Sequence, residues 1–89
     1  MLSAKVEAKM GKLHTIGKTI ITVYANDHLP PHFHIVHPDF EALIEIETFA
    51  SYTGALKGLA GKDAMKWAVE NVQKIKAEWN RVNPRWPVA

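Results

Sequence analysis

The sequence predicts an α+β domain: a small antiparallel sheet of three to four strands packed against one long C-terminal helix. Three observations predict it. Short runs rich in β-branched and aromatic residues fill the first half and are separated by turn signals. Apolar and polar residues alternate within those runs. Beyond residue 62 the period lengthens, and Met65, Val69, Val72, Ile75, Trp79 and Val82 recur at steps of four and three.

In chain order, residues 1–11 are polar and read as a flexible or edge arm. Leu13–Ile16, a Gly17-Lys18 turn and Thr19–Tyr24 read as a hairpin. Asn26–Pro31 cannot continue that strand, because two successive prolines lack backbone donors and hold an extended conformation. His32–His37 forms the next strand, Pro38-Asp39 a turn, and Glu41–Glu47 the return. Alternation puts Phe33 and Ile35 on one face with Ala42, Ile44 and Ile46. It leaves His32 and His34 on the outer face with Leu43, Glu45 and Glu47, and a two-residue loop sets His32 opposite Glu45. Residues 48–62, with Ser51, Thr53, Gly54, Gly58 and Gly61, read as a loop or one short helical turn. The helix runs from Asp63, its expected N-cap, to Val82, and Pro84 stops it. A single domain therefore spans 12–83, followed by a C-terminal tail at 84–89.

At 89 residues there is room for one domain, and 47% apolar with 22% charged residues is a globular balance that argues against disorder. The absence of cysteine excludes disulfide frameworks, thiolate metal sites and thiol catalysis. No run approaches the roughly 20 apolar residues that span a bilayer, and the N-terminal segment alternates charge too quickly for a signal peptide, so a cytoplasmic protein with no membrane contact is expected. A net charge of +2 permits nucleic acid as a partner but only weakly supports it.

The chemistry-bearing stretch is Asp27-His28-Leu29-Pro30-Pro31-His32-Phe33-His34, and four of the five histidines lie between His28 and His37. At i and i+2 of a strand, His32 and His34 project from one face. Two imidazoles so placed can grip one divalent metal such as zinc, or act as an acid/base pair on a phosphate. His28 and Asp27 lean in from the loop stiffened by Pro30 and Pro31. Glu45 across the strand pair supplies a carboxylate, as a ligand or as the acceptor that orients an imidazole. The expected metal set is His28, His32 and His34, within a binding surface of Asp27, His28, Pro30, Pro31, His32, His34 and Glu45. The plainer alternative is a set of cross-strand His–Glu pairs worth under about 1 kcal/mol each. His14 and His37 have no evident partners. Trp67 falls off the helical stripe and is expected to cover the 48–60 loop. Lys74, Lys76, Arg81 and Arg85 give the helix end a basic character that meets the helix dipole. No phosphate-cradling glycine pattern and no nucleophile triad is present.

The run Val23–Ile35 resembles the signature of a family of small bacterial proteins of unknown function, in which an acidic residue and a histidine precede Pro-Pro-His-x-His. The matching positions are Asp27, His28, Pro30, Pro31, His32 and His34. The resemblance extends over residues 12–82, through the acidic-apolar strand Glu41–Glu47 to a helix with a late tryptophan, Trp79. The N-terminal arm and the Arg85-Trp86-Pro87 tail depart from the shorter family pattern. The resemblance implies membership of toxin–antitoxin-like gene pairs and a small protein partner from an adjacent gene; it brings no catalytic mechanism. The expected function is a non-enzymatic binding or regulatory module, with Trp67 and Trp86 in its interface. The alternative is a metal- or histidine-dependent phosphodiesterase or ribonuclease. There His32 and His34 would be ligands or acid and base, Glu45 would orient one of them, and Lys74 or Arg81 would hold phosphate.

Overall fold

The computed structural model describes residues 10–89, apart from the side chains of Met10, Gly11 and Tyr52. The arm expected at the N-terminus therefore falls mostly outside the described residues, while its last two positions enter a strand. Five strands follow one another as β1 (Met10–Ile16), β2 (Thr19–Tyr24), β3 (His32–His37), β4 (Phe40–Glu45) and β5 (Ser51–Gly54). They pair in that same order as one antiparallel meander. Among the described residues two helices, α1 (Gly58–Glu70) and α2 (Val72–Val82), follow the sheet and make the architecture α+β.

The central hairpins form as their sequences require. Gly17 adopts φ 58° in the β1–β2 turn, a conformation glycine reaches without a Cβ penalty. Pro38 and Asp39 link β3 to β4 in the expected register, with His32 opposite Glu45 and Phe33 opposite Ile44. Ile21, Val23, Phe33, Ile35, Ala42, Ile44 and Ile46 are all buried and pack against Ala64, Ala68, Ile75 and Trp79 of the helices. At roughly 25 cal/mol per Å² of apolar area, this shared layer is the main source of stability.

Three expectations are corrected. The sheet has five strands rather than three or four, because the supposed loop at 48–62 contains β5 and the start of α1. A bulge hides β5 from a pairing argument: Leu43 pairs Thr53 but Ile44 pairs Ser51, leaving Tyr52 as the extra residue. The long helix is two. At Asn71 the backbone leaves helical geometry (φ −127°, ψ 29°), and its side-chain amide donates to the Trp67 carbonyl at 2.9 Å. Finally, α1 begins at Gly58 with Lys57 as N-cap, so Asp63 is internal.

The apolar stripe holds in α2, where Ile75 and Trp79 are fully buried, and fails in α1. There Val69 points outward at 57% exposure, and the buried face is Gly61, Ala64 and Ala68. Small residues let α1 lie close to its neighbours; a Cβ on Gly61 would come 2.8 Å from Leu56 Cβ. Trp67 stacks on His14 with ring centroids 4.7 Å apart. A bulge in β1 between Lys12 and His14 brings His14 into register with the core-facing Ile21.

The tail at 84–89 folds back onto α2. Trp79 Nε1–H donates to the Trp86 carbonyl at 2.7 Å, and the Asn80 amide holds both the N–H and the carbonyl of Val88. Gly54 ends β5 at φ 80°, where a Cβ would sit 2.0 Å from the Glu41 carbonyl oxygen. Gly54→Ala is therefore expected to destabilise the domain by at least about 1–3 kcal/mol, the range for forced overpacking. Gly17→Ala, with the same sign of φ but open space around it, is expected to cost less. Urea denaturation of both variants checks the order.

Candidate metal centre

Local backbone geometry places the first component, Asp27. Asn26 turns the chain after β2 with φ 58°, a left-handed conformation asparagine tolerates better than most residues. The Asp27 N–H then donates to Asn83 Oδ1 at 3.4 Å, while Asn83 Nδ2 donates to the Tyr24 carbonyl at 2.9 Å. Asn83 is also the C-cap of α2 and is only 3% exposed. One asparagine thus fixes the β2–β3 loop against the helix end.

The diproline segment places the second component. The Pro31 carbonyl accepts from Ile46 N–H at 3.0 Å, which holds the segment beside the end of β4. The Pro30 carbonyl accepts from His32 Nδ1 at 2.8 Å. That bond turns His32 Nε2 toward Asp27, and Asp27 Oδ2 lies 2.8 Å from it. The same Oδ2 lies 2.9 Å from His34 Nε2. His34 Nδ1 faces Glu41 Oε2 at 3.2 Å. Asp27, His32 and His34 could together hold a metal ion, since one ligand atom from each lies within 4.8 Å of the others.

The centre is enclosed. His32 is fully buried and His34 is 8% exposed, so the expectation of solvent-facing rings fails. The strand parity was right, but the loop and the end of α2 cover that end of the sheet: His32 lies 5.6 Å from Trp79 and 4.6 Å from the stacked His28 ring, by centroids. Tyr24 meets His34 edge-on at 4.5 Å.

Of the expected metal set, His32 and His34 converge and His28 does not. His28 stays exposed, stacked on His32, with its Nε2 3.9 Å from Asp27 Oδ1. Asp27, expected only to lean in, is the hub. Glu45, opposite His32, accepts at Oε1 from the Thr48 hydroxyl. Glu41 faces the His34 ring from the diagonal position, two residues before Leu43, which is the direct partner of His34. Diagonal neighbours across a strand pair lie within reach of long side chains, and this rule would have found it. His37 is held by its own turn, accepting from Asp39 N–H, and Arg81 pairs with Glu78, so neither joins the centre.

Residues 19–80 match the family model "Domain of unknown function (DUF4160)", and this span holds the whole centre. The chain belongs to that family. Comparison of this DUF4160 domain with curated proteins and with solved structures gave no match. Among its described residues no helix is long and apolar enough to cross a membrane.

Electrostatics follow from the geometry. Burial pushes the Asp27 carboxyl upward, but the His32 and His34 nitrogens on Oδ2, the charge of His32 and the His28 N–H more than reverse this and hold it well below the usual range. Burial pulls the His32 ring down, yet its contacts with Asp27 and the Pro30 carbonyl raise it above its ordinary value. Tyr24 is raised by burial and by the charges of Glu41 and Asp27.

The sign of the pH dependence is then fixed for the metal-free chain. A raised His32 contributes stability that is complete below its unfolded value of 6.5 and is lost as pH rises through its folded value. A lowered Asp27 contributes stability that is complete above its unfolded value of 3.8 and is lost as pH falls. The combined contribution is largest between these two values. In chelator, the melting temperature is expected to fall from pH 6 to pH 9, and Asp27→Asn is expected to flatten that slope; thermal melts across the range read both.

Proposed function

We propose that this domain is a metal-binding module that holds one divalent transition ion, zinc by ligand type, on Asp27 Oδ2, His32 Nε2 and His34 Nε2. The observation that carries this reading is the pattern of acceptors around the rings. Each imidazole presents Nδ1 to one oxygen, Pro30 O or Glu41 Oε2, and Nε2 to a shared carboxylate oxygen. A neutral ring donates from one nitrogen only and offers a lone pair at the other. With Nδ1–H donating outward, both lone pairs converge with Asp27 Oδ2 on one point. Metal-ligating histidines are commonly arranged in this way, with the second nitrogen held by a carbonyl or a carboxylate.

A tetrahedral ion with bonds of about 2.0–2.1 Å needs its ligand atoms about 3.3 Å apart. The 2.8 and 2.9 Å contacts need to open by only a few tenths of an ångström. Two nitrogens and one oxygen without thiolate suit zinc and its neighbours rather than calcium or magnesium. Three protein ligands also leave a fourth position for an exchangeable oxygen ligand, as in hydrolytic zinc centres. The phosphodiesterase alternative would run through that position, with His32 and His34 as ligands rather than as acid and base.

Zinc titration by calorimetry is expected to give one site per chain, and saturating zinc at about 100 times Kd should raise stability by about 2.7 kcal/mol. Asp27→Asn and His34→Gln should each abolish tight binding. Glu41→Gln, which touches only the outer nitrogen of His34, should weaken it by about tenfold, and His28→Ala should leave it within threefold. Because His32 is fully buried, His32→Ala is checked for folding by circular dichroism before it is titrated. No saturable binding by the folded wild type, or wild-type affinity in both Asp27→Asn and His34→Gln, would overturn the reading.

A second reading is the protein-binding module of a toxin–antitoxin-like pair. What supports it is the exposure of Leu29, Leu59, Val69 and Trp86. Co-expression with the product of an adjacent gene, followed by sizing of the complex, would test it.

A further inference from the structure

Beside the buried centre, between the β2–β3 loop and the folded-back tail, lies a half-open cleft of about 230 Å³. Asn26, Asp27, Asn83, Pro84, Arg85 and Trp86 line it. Its volume is below the roughly 300–1,000 Å³ of sites that enclose drug-sized ligands, so it suits one small molecule held partly in solvent. The residues that line it include an arginine, a half-exposed tryptophan, two asparagines and an aspartate. We propose that this cleft binds a mononucleotide, with its phosphate on Arg85 and its base against Trp86.

Each part has a physical warrant. Arg85 is permanently charged, and a guanidinium pairs with phosphate through two parallel N–H donors. Trp86 is 52% exposed although its main chain is fixed at both ends: its carbonyl accepts from Trp79 Nε1, and its N–H donates to the Asn83 carbonyl. A flat aromatic surface on an anchored backbone loses little entropy when a base stacks on it, and such stacking tolerates any base. Asp27 would repel a phosphate placed directly beside it, but its Oδ2 is directed at the two imidazoles and its Oδ1 accepts from the His28 N–H, so the phosphate is assigned to the Arg85 side of the cleft. Its edge can instead accept a ribose hydroxyl. Asn83 has both amide groups engaged within the fold, so it shapes the cleft wall, and Asn26 supplies the nearby exposed carboxamide.

The inference goes beyond metal binding and does not depend on it, because the cleft and its side chains need no ion. The test is therefore run in chelator. Adenosine 5′-monophosphate, adenosine and inorganic phosphate are titrated separately into the nitrogen-15-labelled full chain, followed by amide and indole resonances. The monophosphate should shift the Trp86 indole N–H together with amides at 26–27 and 83–86, saturably, and bind more tightly than adenosine or phosphate alone. Arg85→Gln should weaken it by about tenfold, and Trp86→Ala by about fivefold. Both residues are exposed, so these variants should keep the wild-type circular dichroism spectrum. Absence of saturable shifts at these positions, a monophosphate bound no better than its two halves, or wild-type affinity in either variant would overturn the proposal. Because no metal is present, none of these results bears on the zinc titration.

Discussion

A single carboxylate oxygen, Asp27 Oδ2, lies within 2.9 Å of two buried imidazole nitrogens, and much of the molecule is arranged to keep it there. Asp27 belongs to a loop, yet it is placed with the precision of a core residue. Its main-chain N–H is held by Asn83, its side chain by β3, and the turn before it by the left-handed Asn26. Asn83 in turn caps α2 and holds the last carbonyl of β2, so the sheet, the loop and the helix end meet on one polar cluster. Removing one partner from such a cluster costs several kcal/mol, because it strands a charge away from water. The cluster therefore constrains which sequences can fold this way, whatever it binds.

The same cluster poses a proton-counting problem. Four oxygen contacts surround two rings: the Pro30 carbonyl and Asp27 on His32, and Glu41 and Asp27 on His34. Neutral imidazoles carry two N–H donors between them, so two contacts are left with acceptor facing acceptor. Two additional protons satisfy them, and so does one divalent cation at the inner nitrogens. Both solutions balance the charges of Asp27 and Glu41. A cation does so without burying two imidazolium ions, whose desolvation is costly. Because metal ligands must be deprotonated to bind, any affinity of the centre for a metal would rise as pH rises and His32 loses its extra proton.

How far the sequence could be read is best judged from particular residues. The hairpins at Gly17-Lys18 and Pro38-Asp39, the burial of Phe33, Ile35, Ala42, Ile44 and Ile46, and the pairing of His32 with Glu45 all followed from period-two alternation, which is local. Where a bulge inserts a residue, alternation loses its phase. That happened at Leu13, which moved His14 into register with Ile21, and at Tyr52, which concealed β5. The break at Asn71 was invisible because an apolar stripe continues across it, and the true buried face of α1 uses glycine and alanine, which carry weak hydrophobic signals. At the site, the Pro-Pro-His-x-His run marked the right strand. The hub at Asp27 was set by a contact to Asn83, fifty-six positions away, and no local rule reaches that far.

Glu41 ties these observations together. Its side chain faces His34, and its main-chain carbonyl is the atom that Gly54 approaches so closely that no Cβ fits. The end of β5 thus lies against the backbone of the residue that orients one imidazole, while the tail stapled to Trp79 and Asn80 shapes the cleft on the Asp27 side. In a domain this small the apolar core leaves little surplus stability, and structural metals are one of the means by which small domains gain more. Here the cluster sits where the sheet, α2 and the tail converge. Asp27 belongs both to this cluster and to the wall of the cleft, so whatever fixes its side chain in the one also fixes it in the other.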